Sequence, residues 1–210
     1  MANSNSRTIP AQEEGAQADL VEIIKASDQQ EAKLLFLKAR ERLFNISHWA
    51  SISEGISASF ILTDKRGESK DGFPETGDYI RIDIPGPGTR SGDGFDWVQV
   101  EAVEQVDTAE KESFGFRVRP AQNPQNQASD VAHFYSPEST STFTVTRENT
   151  KLHAAIYDRN TKVNKPAGSV ADKVRDAVIG TAGILSFSKI QWKALTEGLL
   201  QPENDQTAKK

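Results

Sequence analysis

Apolar and polar residues alternate one for one through most of the middle of the chain. Ala58, Phe60 and Leu62 form the first row, Ile80, Ile82 and Ile84 the second, and Val98, Val100 and Ala102 the third. Phe114, Phe116 and Val118, then Phe143 and Val145, then Leu152, Ala154 and Ile156 complete the set. A period of two sends successive side chains to opposite faces of a strand. These six segments therefore predict an antiparallel sheet with one buried face and one wet face. The stretch around Ala132 and Phe134 predicts one more strand. Glu148-Asn149-Thr150 and Pro137 to Ser141 read as short turns. Longer Gly/Pro-rich loops run from Arg66 to Gly77, Pro85 to Gly94 and Pro120 to Asp130.

On either side of this block the pattern changes. Leu20-Val21-Glu22-Ile23-Ile24 is a β-branched apolar run that predicts a strand, although its periodicity also fits the start of a helix. Ser27 and Asp28, with Glu31 beyond them, have the spacing of a helix-capping signal. They open a helix over Gln29 to Phe44 with one buried side and a dense apolar segment, Leu34, Leu35, Phe36 and Leu37. Ile46, Trp49 and Ile52, three apart, mark a second short helix within Asn45 to Ser53. After Asn164-Lys165-Pro166 the helical period returns. Ser169 and Asp172 begin a stripe of Val170, Val174, Ala177 and Val178, and Gly180 and Gly183 weaken it by about 1 kcal/mol each. Ser188 is placed to cap a further segment carrying Ile190, Ala194, Leu195 and Leu199. Residues 1–18 and 201–210 are too polar to offset the entropy of ordering and are expected to be disordered tails. Residues 19–200 then form one α+β domain.

Composition narrows the function classes. No cysteine is present, which removes disulfides, thiolate metal sites and cysteine nucleophiles. The formal net charge of −5 opposes general nucleic-acid binding, because phosphates need a surplus of Lys and Arg. No apolar run approaches the length of a membrane span, and no secretory signal pattern leads the chain, so a cytoplasmic protein is expected.

Motifs that could carry chemistry fail on spacing. The glycine-rich stretch 85–94 lies between two strands, whereas phosphate-binding loops need a helix after them. His48, His133 and His153 fall on different elements without metal-ligand spacing. Asp64, Glu68 and Asp71 share a loop, but Arg66 and Gly67 break the calcium pattern. No serine sits in a nucleophile elbow. Arg81, Asp83, Arg117 and Arg119 lie opposite the apolar rows, where cross-strand pairing on a wet face explains them. Tyr157 to Asn160 close the last strand, at a sheet end where a pocket mouth could lie. No metal, cofactor or catalytic residue is implied. Aromatic and polar side chains spread over several elements could line an apolar cavity: Trp49, Trp97, Phe116, His133, Tyr135 and Trp192.

The order strand, two helices, six antiparallel strands and a long terminal helix resembles the helix-grip arrangement of the START-like, or Bet v 1-like, superfamily. That resemblance implies a strongly curved sheet of six to seven strands wrapped on the terminal helix, with Trp49 near a position where the family often has Trp. The alternation alone also fits a calycin-like barrel or another α+β sheet. The resemblance implies a non-catalytic domain that holds a small hydrophobic or amphipathic molecule between sheet and helix. A cyclase- or aromatase-type enzyme on the same scaffold is the second reading, with His133 or Tyr135 as first candidates. A homodimeric interaction module with a filled core is the third.

Overall fold

The computed structural model describes residues 8–54, 58–85, 89, 91–126, 130–164 and 188–202. Strand β1 (Ala16–Lys25) turns through Ser27-Asp28 into helix α1 (Gln29–Phe44). Asp28 Oδ1 accepts the Glu31 N–H at 2.8 Å, and Glu31 Oε2 accepts the Ser27 N–H at 2.6 Å. These bonds satisfy two N–H groups that the helix itself cannot. A 3-10 turn (Ile46–His48) and the one-turn helix α2 (Trp49–Ile52) follow. Then come β2 (Ser59–Thr63), β3 (Tyr79–Asp83), β4 (Asp96–Asp107), β5 (Lys111–Pro120), β6 (Thr140–Glu148) and β7 (Lys151–Thr161). Helix α3 is described over residues 188–200.

The seven strands form one antiparallel sheet in the order β1-β7-β6-β5-β4-β3-β2, so the first strand pairs with the last. This is the helix-grip order: strand, two helices, six strands, helix, with the sheet curved. Every apolar row read from the sequence contributes to the inner face. Phe60, Leu62, Ile80, Ile82, Val98, Val100, Phe114, Phe116 and Val118 are buried there, with Phe143, Val145, Leu152, Ala154 and Ile156 beside them. Trp49 fills the centre of the grip, 1% exposed, with its ring 5.0 Å from Phe143 and 5.3 Å from Phe60. Its indole N–H donates to Leu43 O at 3.2 Å, so the one polar atom of the ring is satisfied in the core.

Helix α3 is tied down toward the end of its described length. Leu195 and Leu199 enter the core. At Gly198 the backbone approaches α2 so closely that a Cβ would lie 2.0 Å from Ile52 O. The Arg42 guanidinium, from α1, donates to Gly198 O and Leu199 O at 3.3 Å each, placing a cation at a helix C-terminus with unpaired carbonyls. Deeper, Glu112 on β5 and Arg147 on β6 form a buried ion pair at 2.7 Å, and Lys33 of α1 completes it.

Three expectations change. The stretch around Ala132 and Phe134 is not a strand. Its backbone is instead engaged by Trp97 N–H on Ala132 O (2.7 Å), by Ala132 N–H on Ala121 O (2.9 Å) and by the Asn164 side chain, so no ladder forms. β1 begins at Ala16, ahead of the boundary expected at residue 19, and the chain before it is held. Thr8 O accepts both Arg117 Nη1 and Thr142 Oγ1 at 3.1 Å on the outer face of the sheet, and Asn160 Oδ1 accepts the Glu13 N–H at 2.7 Å. Hydrogen bonds rather than apolar burial fix this segment. Finally, the residue after Val100 is an extra one on β4, where the pairing with β5 shifts, and Ala102 lies off the buried row. The helix expected from Ser169 to Thr181, its break at Gly180 and Gly183, and the tails 1–7 and 203–210 lie outside the described residues.

Candidate functional site

Between the inner face of the sheet and the residues Ser188, Gln191 and Trp192 of α3 the packing leaves a cavity. Its volume is about 50 Å³, room for a few water molecules. Wall and mouth together surround about 730 Å³ of unoccupied space, some of it open to solvent. The apolar wall comes from Phe60, Ile80, Ile82, Val98, Val118 and Phe143, the same alternating rows that make the core. Trp192 of α3 faces them, its ring 5.1 Å from Phe143 and edge-on to it.

One end of the cavity is polar. The segment 133–135 crosses it, held by Phe134 N–H on Asp96 Oδ2 (3.3 Å) and by an isolated bridge between Tyr135 and Val163. The buried Tyr135 hydroxyl donates to Ser188 Oγ at 2.9 Å, which links this segment to α3. Burial pushes the Tyr135 phenol far above its ordinary range, so it remains a hydrogen-bond donor. His133 is buried beside it, with Nδ1 accepting the Tyr135 N–H at 2.9 Å and its ring stacked 4.4 Å from Phe134. That bond assigns the ring proton to Nε2. Ser141 also lines the cavity, and its hydroxyl donates at 2.6 Å to Asp158 Oδ1. Asp158 is 5% exposed, and burial raises its carboxyl to about 6 against the opposing pull of Ser141 and the Arg159 guanidinium.

Three further polar atoms belong to residues of the cavity wall: Thr140 Oγ1, Thr161 Oγ1 and Trp192 Nε1. All three are buried and without a hydrogen-bond partner. A buried polar group left unpaired is costly, and folded proteins contain few of them.

The structure brings Trp49, His133, Tyr135 and Trp192 to this cavity. Phe116 is one layer deeper, stacked between Trp49 (6.2 Å) and Phe143 (5.3 Å), and does not line it. Trp97 lies on the opposite face of the sheet, as its position next to Val98 requires. Its indole donates to Gly92 O at 3.2 Å and its ring meets Tyr79 edge-on. Of the other histidines, His48 is exposed on Asn45 and His153 is on the outer face of β7, where burial lowers its pKa. No group of three metal-binding side chains occurs among the described residues. Arg117 and Arg119 both engage Glu101 on the outer face, and Arg81 lies over the Phe95 ring at 4.6 Å. Asp64 Oδ1 accepts the N–H groups of Arg66 and Glu68, which makes its loop a closed turn. Sequence reading does not single out Thr140, Thr161 or Ser141 beyond a turn, since isolated hydroxyls carry no pattern.

No helix among the described residues is long and apolar enough to cross a membrane. No family model matches the chain, and no curated protein matches it. Solved structures align over nearly the full length at low identity. A hypothetical protein from Helicobacter pylori is 13% identical, with 91% of this chain and 97% of that one covered and a TM-score of 0.46. Ara h 8.0201 is 13% identical over 88% of this chain and 99% of its own, with a TM-score of 0.36. A START superfamily protein from Mycobacterium smegmatis is 10% identical over 86% and 98%, with a TM-score of 0.32. At these scores the likeness carries no residue-level meaning, and the functional reading rests on the cavity itself.

Proposed function

We propose that this chain binds a small, largely apolar molecule in the cavity between its sheet and α3. The observation that carries the reading is a cavity with an apolar wall and, gathered at one end, the Tyr135 hydroxyl, His133 and Ser141. Ligand sites combine an apolar lining with a few placed polar groups in this way. The second reading, a cyclase- or aromatase-type enzyme, has His133 and Tyr135 as its proton carriers. The Tyr135 hydroxyl is committed to Ser188 and His133 Nδ1 to a backbone N–H, which favours holding a molecule over moving its protons.

Native mass spectrometry of protein purified from its own host, set against the denatured mass, tests the reading. A retained small molecule is expected, and it should be lost in Val118→Phe, which fills the cavity from β5. A bare chain that also fails to take up naphthalene would overturn it. A clean double mass with no adduct would move the weight to the interaction module, for which Val21 and Ile23, exposed on edge strand β1, are the apolar surface.

A further inference from the structure

Strand β1 ends the sheet, and among the described residues no strand pairs with its outer edge. We propose that two copies of this chain join there, β1 against β1, in an antiparallel register centred on Glu22. The inference goes beyond the ligand-holding reading and does not depend on it.

The register follows from the strand itself. Ala26 N–H donates to Thr150 O at 2.9 Å, continuing the pairing of Lys25 with Lys151. In an antiparallel ladder alternate residues turn both backbone groups to the same neighbour. The even-numbered residues therefore face β7, and Asp19, Val21, Ile23 and Lys25 offer N–H and C=O to the free edge. Their side chains share the outer face of the sheet, where Val21 and Ile23 are about half exposed. Opposed residues point to the same face, so a two-fold pairing of β1 with itself is centred on one residue. Centred on Val21, it sets Asp19 against Ile23. Centred on Ile23, it sets Val21 against Lys25. Centred on Glu22, it sets Asp19 against Lys25 and Val21 against Ile23, with Leu20 against Ile24 on the inner face. That register matches opposite charges with each other and apolar residues with apolar ones. The two Glu22 side chains meet at its centre, and Lys193 of α3, within electrostatic reach of Glu22, attenuates their repulsion. One turn before Lys193, on the same face of α3, Ile190 is exposed, so the helix adds an apolar side chain to this edge. Arg159 holds Asp19 through Oδ1, which leaves the second carboxylate oxygen for Lys25 of the other copy.

Sedimentation velocity of the full chain, from micromolar to submillimolar concentration, tests this. An edge-to-edge contact is small, so a dimer that forms as concentration rises is expected. Lys25→Asp alone and Asp19→Lys alone should each weaken it at least tenfold, because each sets like charges against one another at both ends of the pairing. Mixed in equal amounts, these two variants should dimerise as the parent does, since both pairs then regain opposite charges. Glu22→Gln should tighten the dimer several-fold. The chain has no cysteine, so a single introduced thiol reports the register. Residues at the centre of a non-hydrogen-bonded pair come within disulfide reach. Under mild oxidation Glu22→Cys should therefore link to itself at least tenfold faster than Val21→Cys, whose opposite position is Ile23. Because Asp19 also holds Arg159, Lys25→Asp and the two thiol variants carry the test if Asp19→Lys does not fold. A chain that stays monomeric at every concentration would overturn the proposal. A dimer indifferent to Lys25→Asp, or equal linking of the two thiol variants, would overturn it as well. None of these readouts involves the cavity, so they leave the ligand-holding reading to its own test.

Discussion

Replacing Asp158 by Asn should make the protein more stable, and by an amount set by pH. The carboxyl titrates at about 6 in the fold against an ordinary value of 3.8. The folded state therefore binds a proton more tightly than the unfolded chain between those values, and stability falls as pH rises through that window. Once both states are ionised, a gap of about two pKa units corresponds to about 3 kcal/mol of folding free energy lost to the buried charge. An asparagine at this position has no charge to bury, and its Oδ1 can still accept the Ser141 hydroxyl. Asp158→Asn is thus expected to gain up to about 3 kcal/mol at pH 7.5 and roughly half of that at pH 5. Urea unfolding of both proteins at the two pH values, followed by tryptophan emission, measures the difference, and other titrating groups cancel in it. A variant that is neutral or weaker at pH 7.5, or a gain that does not shrink at pH 5, refutes the reasoning.

Glu112→Ala should cost about 3–5 kcal/mol in the same assay, because it leaves Arg147 charged, buried and unpaired. The double variant Glu112→Leu with Arg147→Met should recover most of that loss, and failure to recover would show that the pair does more than balance its own charge. Burial alone would raise the Glu112 carboxyl, but Lys33 and Arg147 hold it below its ordinary 4.5. Its share of stability is present above 4.5 and is lost as pH falls through the lower folded value, a slope the double variant should lack. Gly198→Ala should destabilise by about 1–3 kcal/mol, although alanine is the better helix former by about 1 kcal/mol. The new Cβ would meet the Ile52 carbonyl, and a rise in the urea midpoint would contradict that contact.

Alternation made the sheet legible because each strand has one dry face, and the period of two survives in Ile80-Ile82 or Phe114-Phe116 whatever the neighbours are. The capping signal at Asp28 and Glu31 was legible for a similar reason, since it acts between residues three apart. What could not be read depends on partners far away in sequence. Thr8 is polar and unremarkable until Arg117 and Thr142 are placed beside it. Ala132 and Phe134 have a strand-like spacing, yet their backbone groups are taken by side chains and loops. Both Trp97 and Phe116 suit a cavity wall by composition. Only parity along β4 and layer depth along β5 separate them from Trp49 and Trp192. The polar end of the cavity was the least visible part, because Ser141, Thr161 and Asp158 acquire meaning only when β6 and β7 are in register.

The pairing of β1 with β7 has a consequence for how the molecule is made. Leu20 waits for Ile156, 136 residues downstream, and at about 5–20 residues per second that partner emerges on the order of ten seconds later. During this interval a ten-residue strand with Val21 and Ile23 exposed leaves the ribosome with no sheet to join. Asp19, Glu22 and Lys25 are spaced along it, and charges so placed are what keep a lone strand from pairing with the wrong neighbour. Nascent chains halted before β7 should therefore be the species that chaperones hold and that aggregates form from. Release of the last strand is the step that commits this protein to its fold.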